Sequence, residues 1–291
     1  MSFIETALPD TASWIRHLEQ GELPVLARTA KALAELAKDI DDLAPRDIAS
    51  VVGDDPLMTL KVLVWAGKHL ARNMRATRNS LGNEIETVEA AIVSTGISPF
   101  FRQFAVVETI ETRLASLPEA RLGLIRVLAR SLAAAEFARD WAGHRNDLEI
   151  HVIAEAAMLH DVAEMLVWAR APALALRMQT IARAHPNMRT REIQKAVLGI
   201  TYNQLEVAIM AEWRLPSLLK RLTDDAHADS PQVKNVVLAA NLARHLANSH
   251  DDPALPDDYI DIARLLRTTP ESVRSRVLPT THATPLPSLA A

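Results

Sequence analysis

The adjacent residues His160 and Asp161 are of the types that bind a divalent metal ion. A neutral imidazole and a carboxylate suit such an ion, which can activate water for attack on phosphorus. The pair lies in an apolar run, residues 150–168. If that run is one helix, Asp161 shares a stripe with apolar residues three or four positions apart: Ile150, Ala154, Ala157, Met165 and Trp168. An unpaired buried carboxylate costs several kcal/mol, so we expect a neighbour to neutralise Asp161.

The composition indicates a helical protein without cysteine chemistry. The 291 residues are 49% hydrophobic, with only 8 glycines, 5 phenylalanines and 2 tyrosines. The absence of cysteine excludes disulfides, thiolate nucleophiles and cysteine-ligated metal sites. A net charge of −4 gives no general attraction to nucleic acid. No secretory signal and no long apolar run are evident, so we expect a soluble cytoplasmic protein.

The pattern of apolar residues, prolines and glycines predicts an all-α fold with no sheet and no internal repeat. Asp54-Asp55-Pro56 is typical of a helix start, and residues 72–83 read as a polar loop. The predicted helices are 13–19, 26–37, 47–52, 56–67, 87–95, 99–114, a long one through 124–142, 150–171, 173–184, one or two within 192–213, 217–222, 233–248, 257–266 and 270–277.

Five segments in order resemble the HDOD domain, the HD-related output domain of bacterial signalling proteins. They are Leu23-Pro24-Val25-Leu26, the run from Asp55 to Leu63, the run from Thr87 to Gly96, Met158-Leu159-His160-Asp161-Val162-Ala163, and Trp213-Arg214-Leu215-Pro216. The resemblance covers roughly residues 20–250 and implies an HD-like helical bundle with an N-terminal helical subdomain. The chain departs from the family pattern at Ala66-Gly67-Lys68, at Ala163 and at Tyr202.

The resemblance suggests a division of the chain. We expect a lead-in helix in residues 1–20 and an HDOD-like domain in 21–250. That domain would comprise an N-terminal helical part, 21–118, and a degenerate HD core, 119–250. Two terminal helices would follow in 251–278, and the proline-containing residues 279–291 would form a mobile tail.

The resemblance to HD phosphohydrolases implies four metal ligands, of which this sequence keeps two. His160 and Asp161 match the central pair. The ligand position on the preceding helix is Arg130, and the position on the late helix is Asn241. A guanidinium stays protonated and cannot ligate a metal, and the asparagine offers only a neutral carbonyl. We therefore expect no catalytic residues, no metal and no cofactor. If a divalent metal does bind, His160 and Asp161 would hold it.

Arg130 suggests how Asp161 is neutralised. Arg130 shares one face of the predicted helix with Val127, Ala134 and Phe137, which indicates that the aliphatic part of its side chain faces inward. A guanidinium directed at Asp161 would replace the missing cation through charge-assisted hydrogen bonds.

Other candidates are weaker. His144, His151 and His227 are better read as surface or structural histidines than as ligands. Glu164 could orient the His160 ring, and Ser131 lacks the partners of a nucleophile. The basic cluster is better read as a solvated loop than as an anion or nucleic-acid site; it comprises Lys68, Arg72, Arg75 and Arg78. The terminal helix pair faintly resembles a helix-turn-helix, but its second helix is short, so packing onto the domain is the favoured interpretation.

Two function classes remain. The resemblance favours a non-catalytic bacterial signal-transduction module that regulates through contact with signalling proteins of unknown identity. The alternative is a metal-dependent phosphohydrolase acting on a nucleotide or a phosphorylated second messenger. Alanine-rich helix faces permit a homodimer, we expect no membrane contact, and binding of nucleic acid through the terminal helices is a third, weaker reading.

Overall fold

The computed structural model describes residues 3–74, 85–223 and 230–283, and the regular secondary structure among them is helical, which confirms the all-α prediction. The helices are α1 (Thr11–Glu19), α2 (Ala27–Leu36), a 3-10 turn (Ala37–Asp42), α3 (Pro45–Gly53), α4 (Pro56–Met74), α5 (Val88–Thr95), α6 (Ile97–Phe104), α7 (Ile110–Arg113), α8 (Pro118–His144), α9 (Ile150–Leu159), α10 (Val162–Arg170), α11 (Pro172–Ala184), α12 (Thr190–Leu198), α13 (Tyr202–Glu212), α14 (Ser217–Leu222), α15 (Pro231–Asn248), α16 (Leu255–Leu266) and α17 (Pro270–Ala283).

Several predicted boundaries differ from the structure. Helix α4 continues to Met74, so the predicted loop does not begin at residue 72. The predicted helix at 99–114 is interrupted between Phe104 and Ile110, giving α6 and α7. Helix α17 extends to Ala283, past the point at which the tail was expected to begin. None of these helices is long and apolar enough to cross a membrane.

The chain forms two compact units. The first comprises Met1–Leu128 and Asp161–Lys220, and the second comprises Ala129–His160 and Arg221–Ala291. The division between Leu128 and Ala129 falls within helix α8. The subdivision at residues 118 and 250 stays a prediction.

In the first unit, α1 is tied to the helices that follow the His-Asp pair. Asp10 caps α1, because its Oδ1 accepts a hydrogen bond from the Ser13 amide at 2.7 Å. Trp14 is fully buried, and its indole donates to the Leu198 carbonyl at 3.2 Å. The lead-in helix is thus an integral part of this unit's core.

The start of α4 is fixed by a buried carboxylate. Asp55 has no exposed surface, and its Oδ1 accepts from the amides of Leu57 and Met58 at 3.0 and 3.1 Å. Its Oδ2 accepts from the Leu26 amide at 2.7 Å. The side chain therefore caps α4 and also holds the segment that leads into α2. Thr59, also buried, donates to the Val52 carbonyl and joins α4 to α3.

In the second unit, α15 packs on α9 and α16, and α16 packs on α17. Asn235 donates from Nδ2 to the Ala138 carbonyl at 3.1 Å, which joins α15 to α8. Arg276 on α17 contacts His144 and Asp140 on α8 at 3.3 and 3.4 Å. The terminal helices are therefore packed within this unit, as the sequence favoured over a helix-turn-helix.

A buried pair joins α15 to α16. His245 Nδ1 lies 2.6 Å from Asp258 Oδ2, and Asp258 is only 8% exposed. Burial raises the pKa of Asp258 above its ordinary 3.8, and the hydrogen bond from His245 opposes that rise.

This raised pKa predicts a pH dependence of stability. The folded protein holds the Asp258 proton more tightly than the unfolded chain does, so its contribution to the free energy of unfolding falls as pH rises through the interval between the two pKa values. Asp258→Asn removes that titration. Relative to wild type, the variant should gain stability as the pH rises above the ordinary carboxyl pKa of 3.8, in urea unfolding followed by circular dichroism. Parallel curves for the two proteins would contradict the assignment.

Candidate functional site

The His-Asp pair lies at a helix break, not inside one helix. Helix α9 ends at Leu159 and α10 begins at Val162, with Asp161 at φ −97° and ψ 27° in between. His160 and Asp161 are both partly exposed. The prediction of a continuous stripe with a buried Asp161 is therefore wrong. Because water reaches part of this carboxylate, its charge needs less compensation than a fully buried one would.

Arg130 lies on the inward side of α8, as predicted. The side chains that share this side, Val127, Ala134 and Phe137, are all at most 5% exposed. Arg130 itself is partly buried. Its pairing with Asp161 stays a prediction.

Asn241 lies on α15, which packs on α9, the helix that ends at Leu159 just before the His-Asp pair. Its Oδ1 accepts a hydrogen bond from Arg244 Nη1 at 3.2 Å. This oxygen is the only asparagine atom suited to a hard metal ion, and it is already engaged with a cation. Among the residues that the structure describes, no three His, Asp or Glu side chains converge as metal ligands.

The weaker candidates do not form a second site. His144 and His151 are exposed, Ser131 is buried at 3% exposure, and Glu164 is partly buried on α10. The Tyr202 hydroxyl lies 3.9 Å from the sulfur of Met178. His227, Arg75, Arg78 and the side chain of Arg72 lie outside the part of the chain that the structure describes.

A buried arginine ends α10. Arg170 is 2% exposed, its Nη2 donates to the Gly21 carbonyl at 2.9 Å, and its backbone carbonyl contacts His17 Nε2 at 3.3 Å. Burial lowers the pKa of Arg170 to about 10, the charge of Arg113 adds to that effect, and Glu108 opposes it. Arg170 thereby fixes the turn after α1, where Gly21 takes a positive φ of 75°.

A cavity lies beside that turn, and it was not predicted from the sequence. One wall is a stripe on α4 that includes Lys61, Trp65, Lys68 and His69. Their spacings of four, seven and eight positions place them on one helix face, and that signal was available in the sequence. The other walls come from distant segments, which a periodicity analysis cannot bring together.

Comparisons with solved structures give fold-level matches. The MmoQ response regulator of Methylococcus capsulatus matches with a TM-score of 0.64 at 19% identity, over 89% of this chain and 98% of that one. A virulence factor of Campylobacter jejuni matches with a TM-score of 0.62 at 16% identity, over 92% of this chain and 90% of that one. At such identities these similarities show a shared fold. No curated protein matches the sequence.

The sequence profile of the HDOD domain matches residues 23–229, which is most of the chain and includes all five segments identified from the sequence. The buried roles of Asp55 and Thr59 give one of those segments a structural reason. This protein belongs to the HDOD domain family.

Proposed function

We propose that the chain is a non-catalytic regulatory module of bacterial cytoplasmic signalling that acts by contact with other proteins. The observation that carries this proposal is the chemistry at two of the four positions where HD phosphohydrolases hold their metal. Arg130 cannot ligate a cation, and the Asn241 oxygen accepts from Arg244. Membership of the HDOD family and a fold shared with a protein named a response regulator agree with a signalling role.

Metal content and hydrolysis test the non-catalytic part. Purified wild-type protein, expressed in medium with added manganese and iron, should hold far less than one metal ion per chain by plasma mass spectrometry. It should not hydrolyse p-nitrophenyl phosphate or bis-p-nitrophenyl phosphate. The double variant Arg130→His/Asn241→Asp restores the missing ligand types and should raise the metal content. Arg126→His/Asn248→Asp, which places the same residues at exposed positions of the same helices, is the matched control.

The alternative is a metal-dependent phosphohydrolase, and the observation that favours it is the retained His160-Asp161 pair with partial access to solvent. Stoichiometric metal in the wild type, together with hydrolysis that His160→Ala abolishes, would establish this alternative and overturn the proposal.

The proposed contact with another protein is tested by cross-linking in the source cells and then by measuring binding of the purified partner. We expect a one-to-one complex whose affinity is unchanged by His160→Ala. A complex that requires His160 and added metal would place the interaction at the degenerate site instead.

A further inference from the structure

The cavity noted above has the size of a ligand pocket. It encloses about 350 Å³ within the first unit, and small-molecule sites typically span about 300–1,000 Å³. Its walls are the α4 stripe, the turn between α1 and Leu23, the end of α6 and Trp213. An added Cβ on Gly67 would lie 3.1 Å from the Arg214 carbonyl oxygen, so α4 and the segment carrying Trp213 approach closely. None of the residues of the degenerate HD site lines this cavity.

One wall is aromatic. The rings of Trp65 and Phe104 meet edge to face with centroids 5.3 Å apart, and the His69 ring lies 5.6 Å from Trp65. Trp65 is only partly buried although it sits in this cluster. A half-buried indole at the edge of a cavity is a surface on which a planar ring can stack.

A second wall carries an unsatisfied donor. Trp213 is 3% exposed, and its indole Nε1–H has no hydrogen-bond acceptor among the described residues. Leaving such a donor unpaired costs about 1–3 kcal/mol. Because this nitrogen is itself buried, the surface that Trp213 offers to the cavity is the apolar part of its indole.

The charges of the lining are unevenly arranged. Lys61 Nζ lies 3.3 Å from both Glu22 Oε2 and the Leu23 carbonyl oxygen, so this cation is already compensated. Lys68, two turns further along α4, is exposed and makes no ion pair with the residues that the structure describes. It lies beside His69, a further donor. With Glu19 also in the lining, the formal charges of the two lysines and two glutamates cancel. Because Lys61 is paired with Glu22, Lys68 is the lining lysine available to an anionic group.

We propose that this cavity binds a small planar aromatic molecule carrying a single anionic group, with its ring on Trp65 and that group at Lys68. A nucleoside monophosphate and an aromatic carboxylate share this chemistry. The site is independent of the proposed regulatory function, and it would remain if that function were wrong.

Isothermal titration of the full-length protein tests the proposal with AMP, GMP and indole-3-carboxylate. At least one of the three should bind one-to-one with a Kd below about 1 mM. Adenosine and inorganic phosphate, which carry only the ring or only the anion, should bind at least about tenfold more weakly than AMP if a nucleotide is the ligand. Binding of the carboxylate alone would identify the second source of this chemistry. No binding by any of the three would overturn the proposal.

Variants then locate the site. Lys68→Met should weaken binding about tenfold, equivalent to about 1.4 kcal/mol, and Trp65→Leu should abolish it. Lys195→Met, at an exposed position in the same unit, is the matched control. Circular dichroism melts verify that each variant is folded. If Lys68→Met and Lys195→Met bind like the wild type, the proposed location is wrong.

Discussion

Asp55→Ala is expected to lower the free energy of unfolding by about 3 kcal/mol, since it removes a helix cap and leaves buried amides without an acceptor. The three amides of Leu26, Leu57 and Met58 now donate to this carboxylate at 2.7–3.1 Å. Asp55 is fully buried, so in the wild type these amides are satisfied by the protein and not by bulk water. Burial raises the pKa of Asp55 and the amide bonds oppose that rise, so the loss will be smaller than the sum of three orphaned donors. Urea unfolding monitored by circular dichroism measures it.

The neighbouring aspartate provides a matched control. Asp54 is exposed, so Asp54→Ala should change stability by no more than about 0.5 kcal/mol. Asp55→Asn keeps one acceptor oxygen and places an amide group where the second oxygen was. Its free energy of unfolding should therefore lie between those of Asp54→Ala and Asp55→Ala. Equal stabilities of Asp54→Ala and Asp55→Ala would show that the Asp55 contacts do not hold α4 and the segment at Leu26 together.

The helices were predictable from the sequence because their signals are local. Proline at the first turn, capping side chains and apolar stripes placed most of the elements, and Asp54-Asp55-Pro56 placed the start of α4. The break at His160-Asp161 was not predictable in this way. Only two residues separate α9 from α10, so an apolar stripe continues in the sequence although the backbone does not continue as one helix.

Contacts between segments that are distant in the sequence were also not predictable. Arg130 was placed correctly on the inward face of α8, because its neighbours Val127 and Ala134 repeat at helical spacing. The cavity, in contrast, combines α4 with Trp213, and only the folded chain brings these together. The role of Gly123 is likewise visible only in the folded chain. From the sequence alone, this glycine is only a residue that disfavours the helix in which it lies.

Gly123→Ala should destabilise the protein by about 1–3 kcal/mol, although alanine is the better helix former by about 1 kcal/mol. An added Cβ would lie 2.5 Å from Cζ3 and 2.8 Å from Cζ2 of Trp168, far inside van der Waals contact. Trp168 is 5% exposed on α10, so its ring cannot move aside without displacing other core side chains. The glycine thus allows α8 to approach α10, the helix that follows Asp161. Urea unfolding gives the change in free energy.

Gly143 separates this packing effect from helix propensity. It lies on the same helix, is exposed, and a Cβ there meets nothing within 4 Å. Gly143→Ala should therefore stabilise the protein slightly, by at most about 1 kcal/mol. The change Trp168→Phe makes room at Gly123, so it should be less harmful in the Gly123→Ala background than in the wild type, with a coupling of about 1 kcal/mol or more. Additive effects of the two changes would mean that the clash with Trp168 is not what requires glycine at this position.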